Sequence, residues 1–426
     1  MRIYHAGRVA AYRERERLLA ASGIELTLVV PSIWQEGGGE AVLSAEPFRV
    51  VELTVKRSGD VNRHSYVESG ALSALLQEVR PDVLDVHEEP FSVVARQVLA
   101  VAPARVPVAM YTAQNVDKRF PPPFAWYERA SYRRVAALYP CSRQAASVAR
   151  GKGFDGLIEV LPLGYDPALF FPGSQSAEDE ELVLALFGRL VPEKGLTDAV
   201  RVLAALNRLR PARLVVHGTG PDEGASRELA VSLGVADRLE LSGWRAAAEL
   251  AATYRAAHIV LVPSRPTETW VEQFGRVIVE AQASGAVVAG YDSGSISEVG
   301  GEAAILAPVG DAGALADGIV TAVTVSGELA RRRQLGLELA RERTWERVAA
   351  MHAELYRQVA EGVVRVPLPR SPEQRRATAR AEFGPTAATV AGERPFAVPV
   401  LRRGTRVADA LARILDAEAE VRARLR

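Results

Sequence analysis

The sequence predicts an α/β protein of two doubly wound parallel-sheet domains that face one another across a cleft. Short β-branched runs alternate with helical patterns, as in a parallel sheet covered by helices on both faces. The alternation stops in a polar, turn-rich stretch and then restarts. Several glycines fall directly after apolar runs, where open sheets of this kind bind their ligands. The length of 426 residues suits two or three domains, and a hydrophobic content of 48% supports more than one core.

In order, the first half predicts strands at 2–5, 25–30, 49–53, 83–87, 107–112 and 158–161. Helices are expected between them at 12–21, 70–79, 93–101, 126–137 and 142–152. This first domain is assigned to residues 1–165. Pro162-Leu-Gly-Tyr-Asp-Pro167 and the segment from Phe171 to Glu181 are rich in turn formers, so 166–181 reads as a linker. The second domain, 182–343, predicts strands at 182–187, 213–217, 239–241, 259–262 and 287–290, with helices at 197–209, 225–233, 247–255 and 275–283. Helical patterns at 327–343 and 345–361 follow, the latter within a closing helix assigned to 344–362. Val366-Pro-Leu-Pro-Arg-Ser-Pro lacks apolar periodicity, so 363–426 reads as an extended arm with one amphipathic surface helix at 405–426, of no assigned role.

Composition excludes several classes. With 52 basic and 52 acidic residues, the chain lacks the positive excess of a nucleic-acid binder. The single cysteine, Cys141, permits neither an internal disulfide nor a cysteine-built zinc site, and fits a reducing compartment. Neither a leader-like apolar stretch at the N-terminus nor a run of about 18 apolar residues is present. The expectation is a cytoplasmic protein.

Three motifs carry chemistry. Gly188 follows a strand and has no side chain to obstruct a ligand, while Arg189 and Lys194 flank the turn into a helix. Two cations beside a helix N-terminus suit a diphosphate: guanidinium binds bidentately, ammonium adds a point charge, and backbone N–H groups add donors. The competing reading is a solvated turn. Gly218-Thr-Gly220-Pro also follows a strand; alone, such a pair is a tight turn. Beyond the next strand, Gly243-Trp244 offers a backbone loop to a base edge or a ring to stack on it, with inter-helix packing of Trp244 as the alternative.

The third motif is Glu272-Gln273-Phe274-Gly275-Arg-Val-Ile-Val-Glu280. It sets two carboxylates eight residues apart around the start of an apolar helix. Eight helical steps correspond to about 12 Å and return the second side chain near the first face. Carboxylates accept paired hydrogen bonds from vicinal hydroxyls. One could hold a sugar and the other a ribose, with a diphosphate between them, near helix N–H groups opened by Gln273-Phe274-Gly275. Glu280 stands among Val277, Ile278, Val279 and Ala281, where an incidental charge is uncommon.

Taken together, the motifs resemble the retaining glycosyltransferases of family four, which have the GT-B fold, over residues 1 to about 360. The resemblance rests on Gly188-Arg189 with Lys194-Gly195, Gly218-Thr-Gly220, Pro263-Ser264, Glu272 to Glu280 and Gly294-Ser-Ile-Ser-Glu298. Pro81-Asp-Val-Leu-Asp-Val-His87 and Pro162-Leu-Gly-Tyr-Asp166 match in the first half. It implies transfer of a sugar from a UDP-, GDP- or ADP-sugar to an acceptor hydroxyl of a glycan, lipid or secondary metabolite, with retention at the anomeric carbon and without metal or other cofactor. By the family pattern Arg189 and Lys194 bind the diphosphate, Glu272 the sugar hydroxyls and Glu280 the ribose. The absence of a convincing Asp-x-Asp pair agrees with cationic side chains neutralising the leaving group.

Two positions depart from the family. Where relatives carry Thr-x-His against the donor sugar, this chain has Thr112-Ala-Gln114-Asn115, and Gln114 bears no charge. The first turn, Gly7-Arg-Val-Ala-Ala-Tyr-Arg, is not glycine-rich. His87 is a candidate acceptor contact or else a buried, satisfied histidine. Glu88 and Glu89, adjacent in an extended stretch, point to opposite faces and do not make a hydrolase pair. Lys118-Arg119, Arg129 and Arg133-Arg134 are read as a solvated face ahead of a membrane-contacting one. The alternatives left open are a nucleotide-sugar epimerase of the same fold and a catalytically silent nucleotide-sugar-binding protein.

Overall fold

The computed structural model describes residues 1–34, 45–173 and 181–386. Within these the chain forms two compact units: Met1–Pro162 with Trp345–Thr386, and Leu163–Thr344.

The sheet of the first unit contains β1 (Arg2–Ile3), β2 (Thr27–Pro31), β3 (Arg49–Leu53), β4 (Leu84–Val86), β5 (Val108–Thr112), β6 (Ala137–Pro140) and β7 (Leu157–Ile158). All are parallel, in the order β3-β2-β1-β4-β5-β6-β7. The strand order reverses between β1 and β4. Helices α1 (Glu14–Ala21), α2 (Ser69–Val79), α3 (Val93–Val101), α4 (Phe124–Arg134) and α5 (Arg143–Gly151) make the crossovers, and a small antiparallel hairpin joins Val55–Lys56 to Ser65–Tyr66. Ser92 and Ser142 cap α3 and α5, their hydroxyls accepting from the N–H groups of Ala95 and Ala145.

The second unit repeats the plan with β8 (Leu182–Phe187), β9 (Ala212–His217), β10 (Leu239–Leu241), β11 (Ile259–Val262), β12 (Val287–Tyr291) and β13 (Ile305–Ala307), in the order β10-β9-β8-β11-β12-β13. Its helices are α6 (Leu196–Leu206), α7 (Asp222–Ser232), α8 (Ala247–Ala256), α9 (Arg276–Ala283), α10 (Ile296–Gly300), α11 (Ala312–Thr324) and α12 (Glu328–Arg341). Every residue of β8 is buried, which is why it reads as an unbroken apolar run. Leu184, Leu186, Leu203, Leu214, Ile259 and Ile319 centre the core.

Helix α13 (Trp345–Glu361) returns to the first unit, against α1 and β5. Its Tyr356 closes a buried polar cluster in which Arg2 meets both Asp85 and Glu16, the latter at 2.8 Å, while the Tyr139 and Tyr356 hydroxyls donate to Asp85. Burial alone would disfavour these charges; opposite partners hold them in place.

Four expectations change. Residues 166–173 are not a free linker: Phe170 is buried and packs edge-on to Tyr254 at 5.5 Å, and the Gly173 N–H donates to the Ser284 carbonyl. Residues 174–180 of that assignment lie outside the described residues. Strand β6 occupies a stretch whose start was assigned to a helix, because a short apolar run has no period of its own. The short strand β13 and helices α10 and α11, rich in small residues, were also missed.

The fourth concerns the arm, part of which folds as α14 (Pro372–Phe383) and packs on α5. Gly151 lets it approach, since a Cβ there would lie 3.2 Å from the Arg376 side chain. Arg150 pairs with both carboxylate oxygens of Glu382, at 3.0 and 3.1 Å. Of its residues Ala379 alone is buried, with Phe383 partly buried against the core, too few apolar positions to show a period. The helix assigned to 405–426 lies outside the described residues. Among the described residues no helix is long and apolar enough to cross a membrane.

Candidate active site

The loops after β8, β9 and β10 are tied together through their backbones. Gly188 N–H donates to the His217 carbonyl at 2.9 Å, Leu190 N–H to Thr219 at 2.9 Å, and Gly218 N–H to Gly243 at 2.9 Å. This lacing explains the glycine pair. A Cβ on Gly218 would lie 1.8 Å from the Gly188 carbonyl oxygen, and one on Gly220 2.3 Å from that of Leu190. Both glycines are therefore demanded by a neighbouring loop. Gly188 differs: at φ +125° its Cβ would meet nothing within 4 Å, so the space above it is open.

Arg189 is exposed and, among the described residues, makes no ion pair and no side-chain hydrogen bond. After it, the turn Pro192–Lys194 leads into α6. The Lys194 ammonium lies 2.6 Å from Glu272 Oε2 and 5.2 Å from the ring centre of Trp270. Ser264 Oγ donates to the same Glu272 oxygen at 3.1 Å. The backbone of Glu272 is supported from behind: Ser295 N–H donates to its carbonyl at 3.0 Å and Ser295 Oγ to that of Gln273 at 2.8 Å. Gly294, at φ +56°, passes so close that a Cβ would lie 2.3 Å from the Glu272 carbonyl oxygen. The Gly294-Ser295 segment thus holds the carboxylate loop.

Helix α9 starts at Arg276, with Gly275 as its cap in the left-handed region at φ +78°. Only the last four of the eight steps between Glu272 and Glu280 are helical, so the spacing computed for continuous helix does not apply. The two carboxylates answer to different elements. Glu280 Oε2 accepts from the Tyr254 hydroxyl of α8 at 2.9 Å, and Oε1 faces Arg276 Nε at 3.1 Å. Burial raises the Glu280 pKa, against the opposing pull of Arg276 and Tyr254. Tyr254 stacks on Phe187 at 3.8 Å, and Phe187 on His217 at 5.7 Å. His217 Nε2 lies 2.8 Å from Thr253 Oγ1. Together Glu280, Tyr254, Phe187 and His217 form one row at the carboxyl ends of β8 and β9. Tyr254 and Trp270 were missed, having no local signal; Ser295 stood within the Gly294 to Glu298 motif but without this supporting role. Phe274 is buried, so its side chain is core. Trp244 is 68% exposed, which removes the inter-helix packing reading.

In the first unit the sequence candidates turn inward. His87 is buried, stacked on Tyr111 at 4.1 Å, with Nδ1 2.9 Å from Arg2 Nη2 and 3.1 Å from the Tyr139 hydroxyl. Burial, then Arg2 and Arg15, push its pKa well below the ordinary imidazole value. It is a satisfied core histidine with that nitrogen committed. Gln114 is buried and its amide donates to the Val116 carbonyl at 2.7 Å; Asn115 is buried beside it. Gln114 thus braces its own loop. Glu88 and Glu89 do diverge, Glu89 accepting from Thr112 Oγ1 and Ala113 N–H, both at 2.8 Å. Glu88 instead meets His5 and His64, and the three present ligand atoms within 4.8 Å of one another.

Known proteins agree with this architecture. Residues 168–335 match the family described as glycosyl transferases group 1, and residues 9–164 the glycosyl transferase 4-like domain. The chain belongs to the family-four glycosyltransferases of GT-B fold. A D-inositol 3-phosphate glycosyltransferase of Stackebrandtia nassauensis is 35% identical over 211 residues, 45% of this chain and 46% of that protein. The chain spans about half the length of the curated relatives it matches. Among solved structures, sucrose-phosphate synthase from Thermosynechococcus elongatus superposes with a TM-score of 0.65 at 19% identity, over 84% of this chain and 98% of the other. HepE from Anabaena, solved with UDP and glucose, gives 0.63 at 19%, over 83% and 98%. At such identities these two speak for the fold.

Proposed function

We propose that the protein transfers a sugar from a nucleotide-sugar, a UDP-sugar first, to an acceptor hydroxyl with retention at the anomeric carbon. The Lys194–Glu272 pair beside the exposed Arg189 carries this reading. Arg189 and Lys194 receive the diphosphate, Glu272 the sugar hydroxyls and Glu280 the ribose, with the loops at Gly188, Gly218, Gly220 and Gly243 and the segment Gln273 to Gly275 leading into α9 around them. The bond between the anomeric carbon and the phosphate oxygen breaks as the acceptor oxygen bonds to the same face, and the acceptor proton passes to a phosphate oxygen. Positive charge placed beforehand favours the departing diphosphate. Cationic side chains, not a divalent ion, take that role.

UDP is put first because HepE was solved with it. Relatives named for D-inositol 3-phosphate make a small polyol a reasonable first acceptor to assay. The balanced charge and buried Cys141 support a cytoplasmic setting. The test is incubation with UDP-, GDP- and ADP-sugars and a polyol panel, followed by product NMR. A glycoside with the donor's anomeric configuration supports the reading. An inverted glycoside refutes retention, an epimerised sugar identifies the epimerase alternative, and an untouched ligand identifies a silent binder.

A further inference from the structure

We propose that His5, His64 and Glu88 form a binding site for one borderline divalent cation, zinc foremost, in the first unit. His5 follows β1 and Glu88 follows β4, the neighbours between which the strand order reverses. In doubly wound sheets the crevice at that reversal, outside the carboxyl ends of the strands, is where ligands bind. His64 reaches the same place from the segment entering the second strand of the small hairpin.

The donor set is oriented as ligands are. His64 Nδ1 lies 3.1 Å from the Asp60 carbonyl. A carbonyl can only accept, so Nδ1 carries the proton and Nε2 keeps its lone pair. That Nε2 belongs to a fully buried side chain, has no hydrogen-bond partner among the described residues, and lies 3.9 Å from Glu88 Oε1. A buried lone pair without a partner is costly, and a cation between it and the carboxylate removes the cost. His5 Nδ1 lies 2.8 Å from Glu88 Oε1, and the His5 backbone N–H donates to the same oxygen at 3.0 Å. Trp34 packs against both imidazoles, with ring centres 4.6 Å from His5 and 4.9 Å from His64, and walls the site with apolar surface. A hydrogen bond between His5 and Glu88 satisfies that pair alone; it leaves His64 Nε2 unexplained.

Two imidazole nitrogens and one carboxylate oxygen suit zinc, cobalt or ferrous iron, whereas calcium and magnesium prefer oxygen throughout. Three protein ligands leave a coordination position for water or a substrate hydroxyl. The site belongs to the first unit, whereas Arg189 and Lys194 belong to the second.

Full-length protein freed of metal with a chelator is titrated with Co²⁺ and then Zn²⁺, following visible absorption and calorimetry. The expected result is one Co²⁺ per chain with visible bands of low-coordinate cobalt, displaced by Zn²⁺. His64→Gln and the more accessible His5→Gln each weaken binding by about tenfold or more, while His217→Gln, in the second unit, leaves it unchanged. Circular dichroism identifies which variants fold, and His5→Gln serves if His64→Gln does not. Absence of saturable binding to the native chain, or equal binding by native and folded His5→Gln protein, overturns the proposal.

Discussion

The Lys194 ammonium and the Glu272 carboxylate meet at 2.6 Å although 78 residues separate them in sequence. The contact joins the turn after β8 to the loop before α9 and holds one cation and one carboxylate in register before any ligand arrives. Their side chains are 23% and 11% exposed, so water still reaches the pair and its share in stability lies between that of a surface pair and that of a fully buried one. Its consequence is positional.

Removing either partner is therefore expected to affect turnover far more than folding. Lys194→Ala and Glu272→Ala each lower the rate of transfer by roughly 10²–10³-fold, the scale of losing one placed electrostatic contact. Melting temperatures stay within a few degrees of the native value. Nucleotide release from the donor and a melting curve on the same preparation check both halves.

Gly195 precedes α6 at φ +69°, and a Cβ there would stand 2.2 Å from the Pro263 carbonyl oxygen. Gly195→Ala combines a disfavoured backbone with a clash against main chain that cannot swing away. A loss of about 1–3 kcal/mol is expected, read as a lower urea midpoint at unchanged slope. An unchanged midpoint would mean that the Pro263-Ser264 loop gives way freely.

The buried Glu280 carboxyl titrates above its ordinary value, chiefly through desolvation. A carboxyl with a raised folded pKa is bound by its proton more tightly in the folded state. Its contribution is complete below the unfolded value of about 4.3 and is lost as pH climbs through the folded value. Glu280→Gln, neutral throughout, should melt higher than the native chain at pH 7, with the difference shrinking toward pH 4. It should also bind the nucleotide-sugar more weakly, since the carboxylate assigned to the ribose is gone. Melting curves across this pH range, with and without donor, test both.

In the first unit, Asp85 accepts from Arg2, Tyr139 and Tyr356 inside the protein. Asp85→Asn leaves the fully buried Arg2 with Glu16 as its remaining carboxylate. Removing one partner of such a buried network is expected to cost about 3–5 kcal/mol. Chemical denaturation followed by circular dichroism measures it. A change below about 1 kcal/mol, the scale of a surface pair, would contradict the assignment.

The sequence disclosed most where one element states its own environment. Strand β8 is apolar at every position, and Gly188, Arg189 and Lys194 follow it directly, so the strand, its loop and the chemistry could all be read locally. Relationships between distant segments were hidden. Nothing near Gly218 announces the Gly188 carbonyl that excludes a Cβ, and nothing near Glu280 announces Tyr254. The spacing argument for Glu272 and Glu280 assumed helix where the chain has a loop held by Ser295. His87 was readable as either ligand or core, and only its contacts with Arg2 and Tyr139 decide. Helix α14 was missed because Ala379 and Phe383 alone turn toward the core, too few positions to make a period, although Ser371-Pro372 is a recognisable helix start.

Donor binding through Arg189 and Lys194 is read out by a thermal-shift titration of the full chain with UDP-, GDP- and ADP-sugars, run beside Arg189→Ala and Lys194→Ala. A ligand bound only by the folded state stabilises it by about 2.7 kcal/mol at a hundredfold excess over Kd. A clear rise in melting temperature with one nucleotide class is expected, with a markedly smaller rise in both variants. No rise with any nucleotide-sugar, or an equal rise in the variants, would contradict it.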